Sequence, residues 1–304
     1  MTGDWLRAFA QPGDASMPAR LLRQFVRRWY LLRSRNCVAY YPPISRELEQ
    51  IESDMLAAGM AVESLSVDGG EFDDFVRAVA FPQDYYGDAS EAIRGEKLLE
   101  HFVAAQLIDV CSPRRSPYVD VAACASPWAM LLRGRGVEAF AIDLEIPPRY
   151  AAVPYYEQQD ATAMRFAQNS IGSASLHCAF EMFGGGQDSA LIRELARVLR
   201  PGGRAVILPL YMHTHACRYQ SPEFVGLMPQ DEGAASYVRR DCWGVSSSRK
   251  YSVQTLLDRV WRPALEVGLA PRIGIVRNAA TVVSSAYLHF VLLLDKPQSG
   301  MVPR

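Results

Sequence analysis

The stretch at residues 188–210, DSALIRELARVLRPGGRAVILPL, contains a helix, a turn and a strand in immediate succession. Asp188 can cap the helix, and the positive charges of Arg197 and Arg200 suit the negative end of its dipole. Pro201-Gly202-Gly203 ends the helix, and an apolar strand begins at once. The helix has a buried stripe at 3.6-residue spacing, made by Leu191, Ile192, Leu195, Val198 and Leu199. This unit is typical of a sheet with crossover helices.

The same alternation of strands and helices continues on both sides of this stretch. Apolar strands are predicted at YVDVAA (118–123), EAFAID (138–143), YYEQQD (155–160), SASLHCAF (173–180) and RAVILPL (204–210). Two later strands, PRIGIVR (271–277) and YLHFVLLLD (287–295), leave no room for a helix between them and predict an antiparallel pair. We therefore expect an α/β fold with a doubly wound, mostly parallel sheet of seven strands that ends in an antiparallel hairpin.

The segment before this sheet is different in character. Residues 1–105 are predicted to form a helical N-terminal cap region, and residues 106–304 the sheet domain with a lid insertion at about 211–251. Between Ala15 and Arg46 there are seven arginines and no acid, and many acids follow. We interpret the basic part as a helix that docks on the acidic segment, although an anionic membrane or nucleic-acid surface is an alternative.

The composition excludes several protein classes. The chain has 304 residues, 49% of them hydrophobic, and a net charge of −1, which provides no general field to attract nucleic acid or membranes. Six cysteines without a CxxC pair argue against a disulfide framework and against a structural zinc site. No signal peptide or membrane span is predicted. We expect a cytoplasmic protein with no nucleic-acid partner.

Three acids lie at or near the ends of successive predicted strands. Asp120 is in the first strand, Asp143 closes the second and Asp160 closes the third. Ligands of open α/β sheets bind at the carboxyl ends of the strands. An acid that closes the second strand can accept hydrogen bonds from both hydroxyls of a ribose, and one after the third can reach an adenine amino group. The spacing therefore predicts a nucleoside-containing ligand.

Four motifs together resemble the class I S-adenosylmethionine-dependent methyltransferases, over roughly residues 95–297. They are DVAACAS (120–126), AIDLE (141–145), QQDATAMRF (158–166) and ELARVLRPGGRAVI (194–207). The resemblance implies that S-adenosyl-L-methionine is the cofactor. By position it assigns the ribose to Asp143 with Leu144, the adenine to Asp160 with Ala161, and the methionine part to Asp120, Ala122, Ala123 and Cys124, while His177 and Tyr86 complete the cofactor site.

The loop AACAS (122–126) departs from this family, which usually has glycines there. S-adenosylmethionine has no pyrophosphate, so its loop needs only a small, tight turn, which Ala and Cys can approximate if no residue requires a positive φ. The missing glycines therefore count more against NAD than against S-adenosylmethionine. A non-catalytic S-adenosylmethionine-binding or interaction protein remains the main alternative, and a nicotinamide oxidoreductase the third.

The methyl acceptor is predicted to be a hydroxyl of a small molecule. The family's base-methylating members carry an Asn/Asp-Pro-Pro-aromatic motif where this chain has HCAFEMF (177–183). Catalytic residues are expected after the fourth and fifth strands, and we assign His177, Glu181, His213 and His215 to this role. In extended chain His213 and His215 point to one side, as a base and its partner or as two metal ligands. A third ligand would come from Asp231, Glu232 or Asp241; our assignment includes no metal.

Overall fold

The computed structural model describes residues 24, 25, 28, 29, 31, 32, 37–86, 91–225, 227, 231–240, 242 and 244–298. Most of the predicted basic helix, and Asp241, lie outside the described residues. The described part of the chain contains no helix that is both long and apolar enough to cross a membrane.

The described chain contains strands and helices throughout. The strands are β1 Cys37–Val38, β2 Val62–Leu65, β3 Tyr118–Val121, β4 Ala139–Asp143, β5 Tyr156–Gln158, β6 Ile171–His177, β7 Leu199–Leu208, β8 Cys217–Gln220, β9 Ala235–Arg239, β10 Ser248–Lys250, β11 Ala270–Val276 and β12 Phe290–Asp295. The α-helices are α1 Ser45–Ala57, α2 Gly69–Val79, α3 Glu91–Ile108, α4 Trp128–Arg133, α5 Gln187–Val198, α6 Val253–Leu256, α7 Arg262–Glu266 and α8 Ala279–Val282, and a π-helix at Leu257–Trp261 joins α6 to α7.

The main sheet has the order β2-β11-β12-β7-β6-β3-β4-β5. Its pairs are parallel except β11 with β12 and β12 with β7, so the predicted antiparallel hairpin is confirmed. From β3 the chain builds outward through β4 and β5, and then returns to add β6 on the other side of β3. This reversal is the switch point where doubly wound sheets open a crevice.

The sheet has eight strands rather than the predicted seven. The additional strand, β2, pairs in parallel with β11, with Val62 opposite Ile273. The region 1–105, expected to be mostly helical, therefore also contributes an edge strand. The short helix α8 occupies the connection from β11 to β12, where no helix was expected. Both features are four residues long, too short to give a periodic pattern.

Helices cover both faces of the sheet. On one face α1, α5 and α7 pack against strand residues such as Val121 and Ile207. On the other face α2, α3 and α4 pack against residues such as Tyr118 and Leu208. Each fully buried large apolar side chain contributes about 1.5–3 kcal/mol. This two-sided packing fixes the strand ends that border the crevice.

The segment 211–251 and the short strand β1 together form a second, smaller sheet with the order β1-β9-β8-β10. An ion-pair cluster ties it to α5. Asp188, predicted as a helix cap, lies inside the helix, which is capped by Gly186 instead. Its buried carboxylate accepts hydrogen bonds from Arg249 at 2.6 Å, from Tyr251 at 2.8 Å and from Arg259 at 2.8 Å. Two arginines at one buried acid satisfy its charge better than a capping bond would.

Candidate functional site

A cavity of about 850 Å³ lies at the carboxyl ends of β3, β4, β5 and β6. Three groups of residues line it: the loop after β3, the residues that follow β4 and β5, and the residues from His177 onward after β6. The segment before the sheet adds Tyr86 and Lys97. The cavity therefore lies at the topological switch point, where the sheet order predicts a ligand.

The glycine-free loop contains two residues in the left-handed region. Ala122 has φ 55° and Cys124 has φ 49°. The sequence predicts that Ala and Cys can form the tight turn if no residue requires a positive φ. In the structure, two positions of the turn have a positive φ. A left-handed residue with a Cβ atom costs about 1–2 kcal/mol. The loop thus has, at two positions, a conformation that glycine adopts without strain, although neither residue is a glycine.

Asp143 holds this loop in place. Its Oδ2 accepts a hydrogen bond from the Cys124 backbone N–H at 2.7 Å, and its Oδ1 accepts one from the Glu145 N–H at 3.2 Å. A carboxylate oxygen has two acceptor sites, so each oxygen keeps one site for a ligand. Leu144 follows Asp143 on the cavity wall. The pair predicted for the ribose therefore lines the cavity.

Asp160 and its neighbours form the next part of the wall. Asp160 Oδ1 accepts bonds from the backbone N–H and the hydroxyl of Thr162, at 2.8 and 2.7 Å. The carboxylate is on an exposed residue, whereas Ala161 beside it is buried. This Asx-type turn fixes one oxygen of the carboxylate and leaves the other available to a donor. Both residues predicted for the adenine line the cavity.

Asp120 is the least satisfied acid of the cavity wall. It is 1% exposed, and its Oδ2 has no hydrogen-bond partner in the part of the chain that the structure describes. Its pKa is raised to about 7, chiefly by burial; a hydrogen bond from Ser126 opposes this rise and the nearby charge of Asp143 adds to it. A buried carboxyl oxygen without a partner is costly, so this atom is suited to a cationic ligand group.

His177 presents a neutral imidazole to the cavity. Burial, and then the nearby charge of Lys97, lower its pKa to about 3. Its Nε2 is 2.6 Å from Ser175 Oγ, which is 2.5 Å from the Tyr118 hydroxyl. Its Nδ1 has no partner among the described residues. When Nε2 carries the proton toward Ser175, Nδ1 is an acceptor.

Lys97 is a lining residue that the sequence analysis missed. Its ammonium donates to Glu100 Oε1 at 2.7 Å and to the Tyr287 hydroxyl at 2.9 Å, and it lies 6.0 Å from the centre of the Tyr86 ring. Burial lowers the pKa of Lys97, but the attraction of Glu100 outweighs it and the pKa is raised. The cavity thus contains a buried cation. A lysine on an amphipathic helix gives no local signal of this.

Three residues expected in catalysis do not line the cavity. Glu181 is buried behind Cys178, with its Oε1 3.5 Å from the thiol. His213 and His215 lie beside the small sheet, with His215 Nε2 3.0 Å from the Tyr237 hydroxyl. The strand-end rule placed them near the crevice, but the chain after β7 turns away into β8.

The third metal ligand expected beside the two histidines is also not the residue found there. Asp231 pairs with Arg249 at 2.7 Å, Glu232 is exposed, and Asp241 lies outside the described residues. The residue that gathers with His213 and His215 is Cys217. The regular i, i+2 spacing of these three residues was the signal that could have revealed it.

Comparison with known proteins gives one family match. The methyltransferase domain family matches residues 119–207, from the first strand of the crevice to the end of β7. No curated protein sequence matches the chain.

Several solved structures of low identity match this chain. One is 1,6-didemethyltoxoflavin-N1-methyltransferase of Burkholderia thailandensis, solved with 1,6-didemethyltoxoflavin and S-adenosylhomocysteine. It has 14% identity and a TM-score of 0.45, with 86% of this chain and 95% of that chain covered. Another is an S-adenosylmethionine-dependent methyltransferase of Mesorhizobium loti, with 17% identity, a TM-score of 0.42, and 64% and 97% of the two chains covered.

Proposed function

We propose that this chain is a class I S-adenosylmethionine-dependent methyltransferase whose acceptor is a hydroxyl group of a small molecule. The observation that carries the proposal is the pairing, in one cavity wall, of a neutral imidazole at His177 with a buried ammonium at Lys97. An acceptor and a cation side by side suit an oxygen that loses a proton and gains partial negative charge.

The residues of the cavity fit the cofactor of this family. Asp143 would hold the ribose hydroxyls, and Asp160 the adenine amino group. The orphaned Oδ2 of Asp120 matches the need of the methionine ammonium for a buried acceptor. S-adenosylmethionine supplies, when bound, an electrophilic methyl group on a sulfonium. The chain's own contribution is to orient the acceptor and manage one proton.

His177 is proposed to receive that proton. Its Nε2 is fixed by Ser175, which is in turn fixed by Tyr118, so the ring orientation is set by two buried side chains. The proton that the hydroxyl loses on becoming an ether would move to Nδ1. The low pKa of His177 keeps Nδ1 unprotonated at neutral pH. A pKa this low also makes the ring a weak base, so the proton transfer requires an acidic hydroxyl whose developing negative charge Lys97 stabilises.

Lys97 is proposed to select the acceptor. Two of its three N–H donors are used by Glu100 and Tyr287, which leaves one for a substrate oxygen. Tyr86 and Phe183 line the same cavity and provide apolar ring faces. A cation combined with aromatic walls favours an acidic hydroxyl on a flat ring, such as a phenol or an enol.

The predicted domain division is also carried forward as a proposal. Residues 1–105 would form the acceptor side, because Tyr86 and Lys97 both lie in this region and line the cavity. Residues 106–304 would hold the cofactor. Within the described part of 211–251, no residue lines the cavity, so a lid role for this insertion would require movement.

The proposal is tested with S-adenosylmethionine and a panel of small phenols, enols, carboxylic acids, amines and thiols. S-adenosylhomocysteine release and the product mass are both recorded. We expect turnover of a phenol or enol to its methyl ether. His177→Asn and Lys97→Met should each reduce turnover by about 10²-fold or more while calorimetric affinity for S-adenosylhomocysteine is unchanged.

Matched controls are His289→Asn and Lys296→Met, which alter the same residue types outside the cavity. Both should retain full turnover. Turnover of amines or thiols with every hydroxyl compound silent would reject the proposed acceptor class and leave the methyltransferase assignment standing.

A further inference from the structure

His213, His215 and Cys217 form a cluster apart from the cofactor cavity. The sequence HTHAC places them at every second position, in a segment that bends at residues 214–215 before β8 begins at Cys217. One ligand atom from each residue lies within 4.8 Å of the other two. The two imidazole rings are 4.4 Å apart, centre to centre, at 73°. The three side chains therefore already lie close together in the folded chain.

An independent observation points to a missing partner at this cluster. His213 is 4% exposed, and its buried Nε2 has no hydrogen-bond partner in the part of the chain that the structure describes. A buried imidazole nitrogen without a partner costs about 1–3 kcal/mol. Cys217 is 1% exposed and carries a free thiol. A bound cation would satisfy both atoms at once.

We propose that His213, His215 and Cys217 bind a zinc ion. Two imidazoles and one thiolate form a donor set that zinc prefers among the common divalent ions. Tetrahedral zinc with bonds of about 2.0–2.3 Å needs roughly 3.4–3.6 Å between ligand atoms. The three ligand atoms lie within 4.8 Å of one another, a wider spacing than zinc needs. The His215 side chain is exposed and can rotate away from Tyr237, which would bring its ligand atom closer to the other two.

The surrounding charges are compatible with the ion. Glu47 is near enough that the charges of His213 and His215 contribute to the lowering of its pKa, behind its hydrogen bonds to Ile44 and Tyr41. Lys250 places a positive charge near His213 and Cys217, which opposes a bound cation but favours the thiolate form of Cys217. A water molecule would complete the four ligands.

The consequence of the ion would be structural. Cys217 begins β8, which lies between β9 and β10 in the small sheet. The backbone N–H of His213 donates a hydrogen bond to the Tyr251 carbonyl at 2.8 Å. Zinc would therefore clamp the connection after β7 onto this sheet. A ligand that binds only the folded chain raises the melting temperature by mass action.

The test uses the full chain, stripped with a chelator, reloaded with Zn²⁺ or Co²⁺ and desalted. Mass spectrometry should find about one zinc ion per chain, as expected for a three-ligand site. The cobalt form should show the intense visible bands of tetrahedral cobalt and a near-ultraviolet thiolate-to-cobalt band. Cys217→Ser should remove the thiolate band and weaken zinc binding at least about tenfold.

Cys111→Ser is the matched control, since this thiol is exposed and outside the cluster, and it should keep metal and spectrum. Thermal shift with S-adenosylhomocysteine checks folding independently of the metal. If Cys217→Ser fails this check, His215→Ala decides, because an exposed side chain is removed there. A folded wild-type chain that retains no zinc would overturn the proposal, as would a folded His215→Ala or Cys217→Ser variant that retains it fully. Neither result would affect the methyltransferase proposal.

Discussion

The Cys124 backbone N–H donates a 2.7 Å hydrogen bond to the Asp143 carboxylate. One acid thus anchors the glycine-free loop and faces the place proposed for the ribose. The bond connects the carboxyl ends of β3 and β4, which are neighbours in the sheet. Loss of this side chain should disturb two parts of the cofactor site together.

Asp143→Ala is accordingly expected to weaken S-adenosylhomocysteine binding by one or more powers of ten. The reason is that bonds to a charged group are worth about 1.5–3 kcal/mol each. Calorimetry measures the affinity, and circular dichroism checks the fold. Glu145→Ala removes a neighbouring acid and should change affinity little. Unchanged affinity in Asp143→Ala would remove this residue from the site.

Glycine at the two strained loop positions should stabilise the fold. Ala122→Gly and Cys124→Gly each relieve left-handed strain of about 1–2 kcal/mol and add about 0.5–1 kcal/mol of chain entropy to the unfolded state. The expected net gain is about 0.5–1 kcal/mol each in urea unfolding. Ala125→Gly, in the same loop but without a positive φ, should lose stability. Destabilisation in all three variants would show that the loop is unstrained.

Cofactor affinity should rise with pH between 6 and 8. Burial raises the pKa of Asp120 to about 7. At lower pH the Asp120 carboxyl must therefore lose its proton before it can pair with an ammonium group of the ligand. Below the pKa each pH unit costs up to about tenfold in affinity, and above it the affinity levels off. Asp120→Asn should flatten the profile. His177, with a pKa of about 3, does not titrate in this range. Calorimetry at several pH values tests this, and a flat wild-type profile would contradict it.

The same shift has the opposite effect on the free protein. The folded pKa of Asp120 lies above its ordinary value, so its contribution to stability is present below pH 4 and is lost as pH rises toward 7. Asp120→Asn should therefore stabilise the ligand-free chain most at pH 8. Urea unfolding at pH 5 and pH 8, compared between the two proteins, measures the difference. An equal effect at both pH values would argue against the raised pKa.

The buried acid Asp188 should be important for stability. Asp188→Asn removes the one buried charge that Arg249 and Arg259 share and leaves Arg249 with Asp231 alone, and breaking a buried pair costs up to about 3–5 kcal/mol. Asp74→Asn, in an exposed pair with Arg77, should cost less than about 1 kcal/mol. Urea unfolding distinguishes the two. Equal effects would mean that the cluster does not tie the small sheet to α5.

The sequence predicts the parts of this fold that are decided locally. The helix at 187–198 and the strand after it follow from apolar spacing within one short stretch. The strand β2 was missed because its partner β11 is about 211 positions away, and nothing within four residues reveals such a pairing. The positive φ of Ala122 was missed because alanine rarely adopts it, so the residue type gave the wrong expectation.

The candidate site likewise contains residues that the sequence predicts and residues that only the tertiary structure reveals. Asp120, Asp143 and Asp160 line one cavity because parallel strands bring their carboxyl ends to one edge. His213 also follows a strand, yet the direction of the chain beyond β7 depends on the small sheet, which no local pattern marks. Lys97 enters the cavity through the packing of α3, so only the tertiary structure reveals it.

The bond between Lys97 and Tyr287 joins residues 190 positions apart. Most residues that line the proposed cofactor end of the cavity, by contrast, come from the segment 120–187. Substitutions near Lys97 or Tyr287 can therefore reshape the acceptor end without altering that segment. In evolutionary terms, a lineage carrying this chain is free to change the compound it modifies while inheriting its nucleoside site intact.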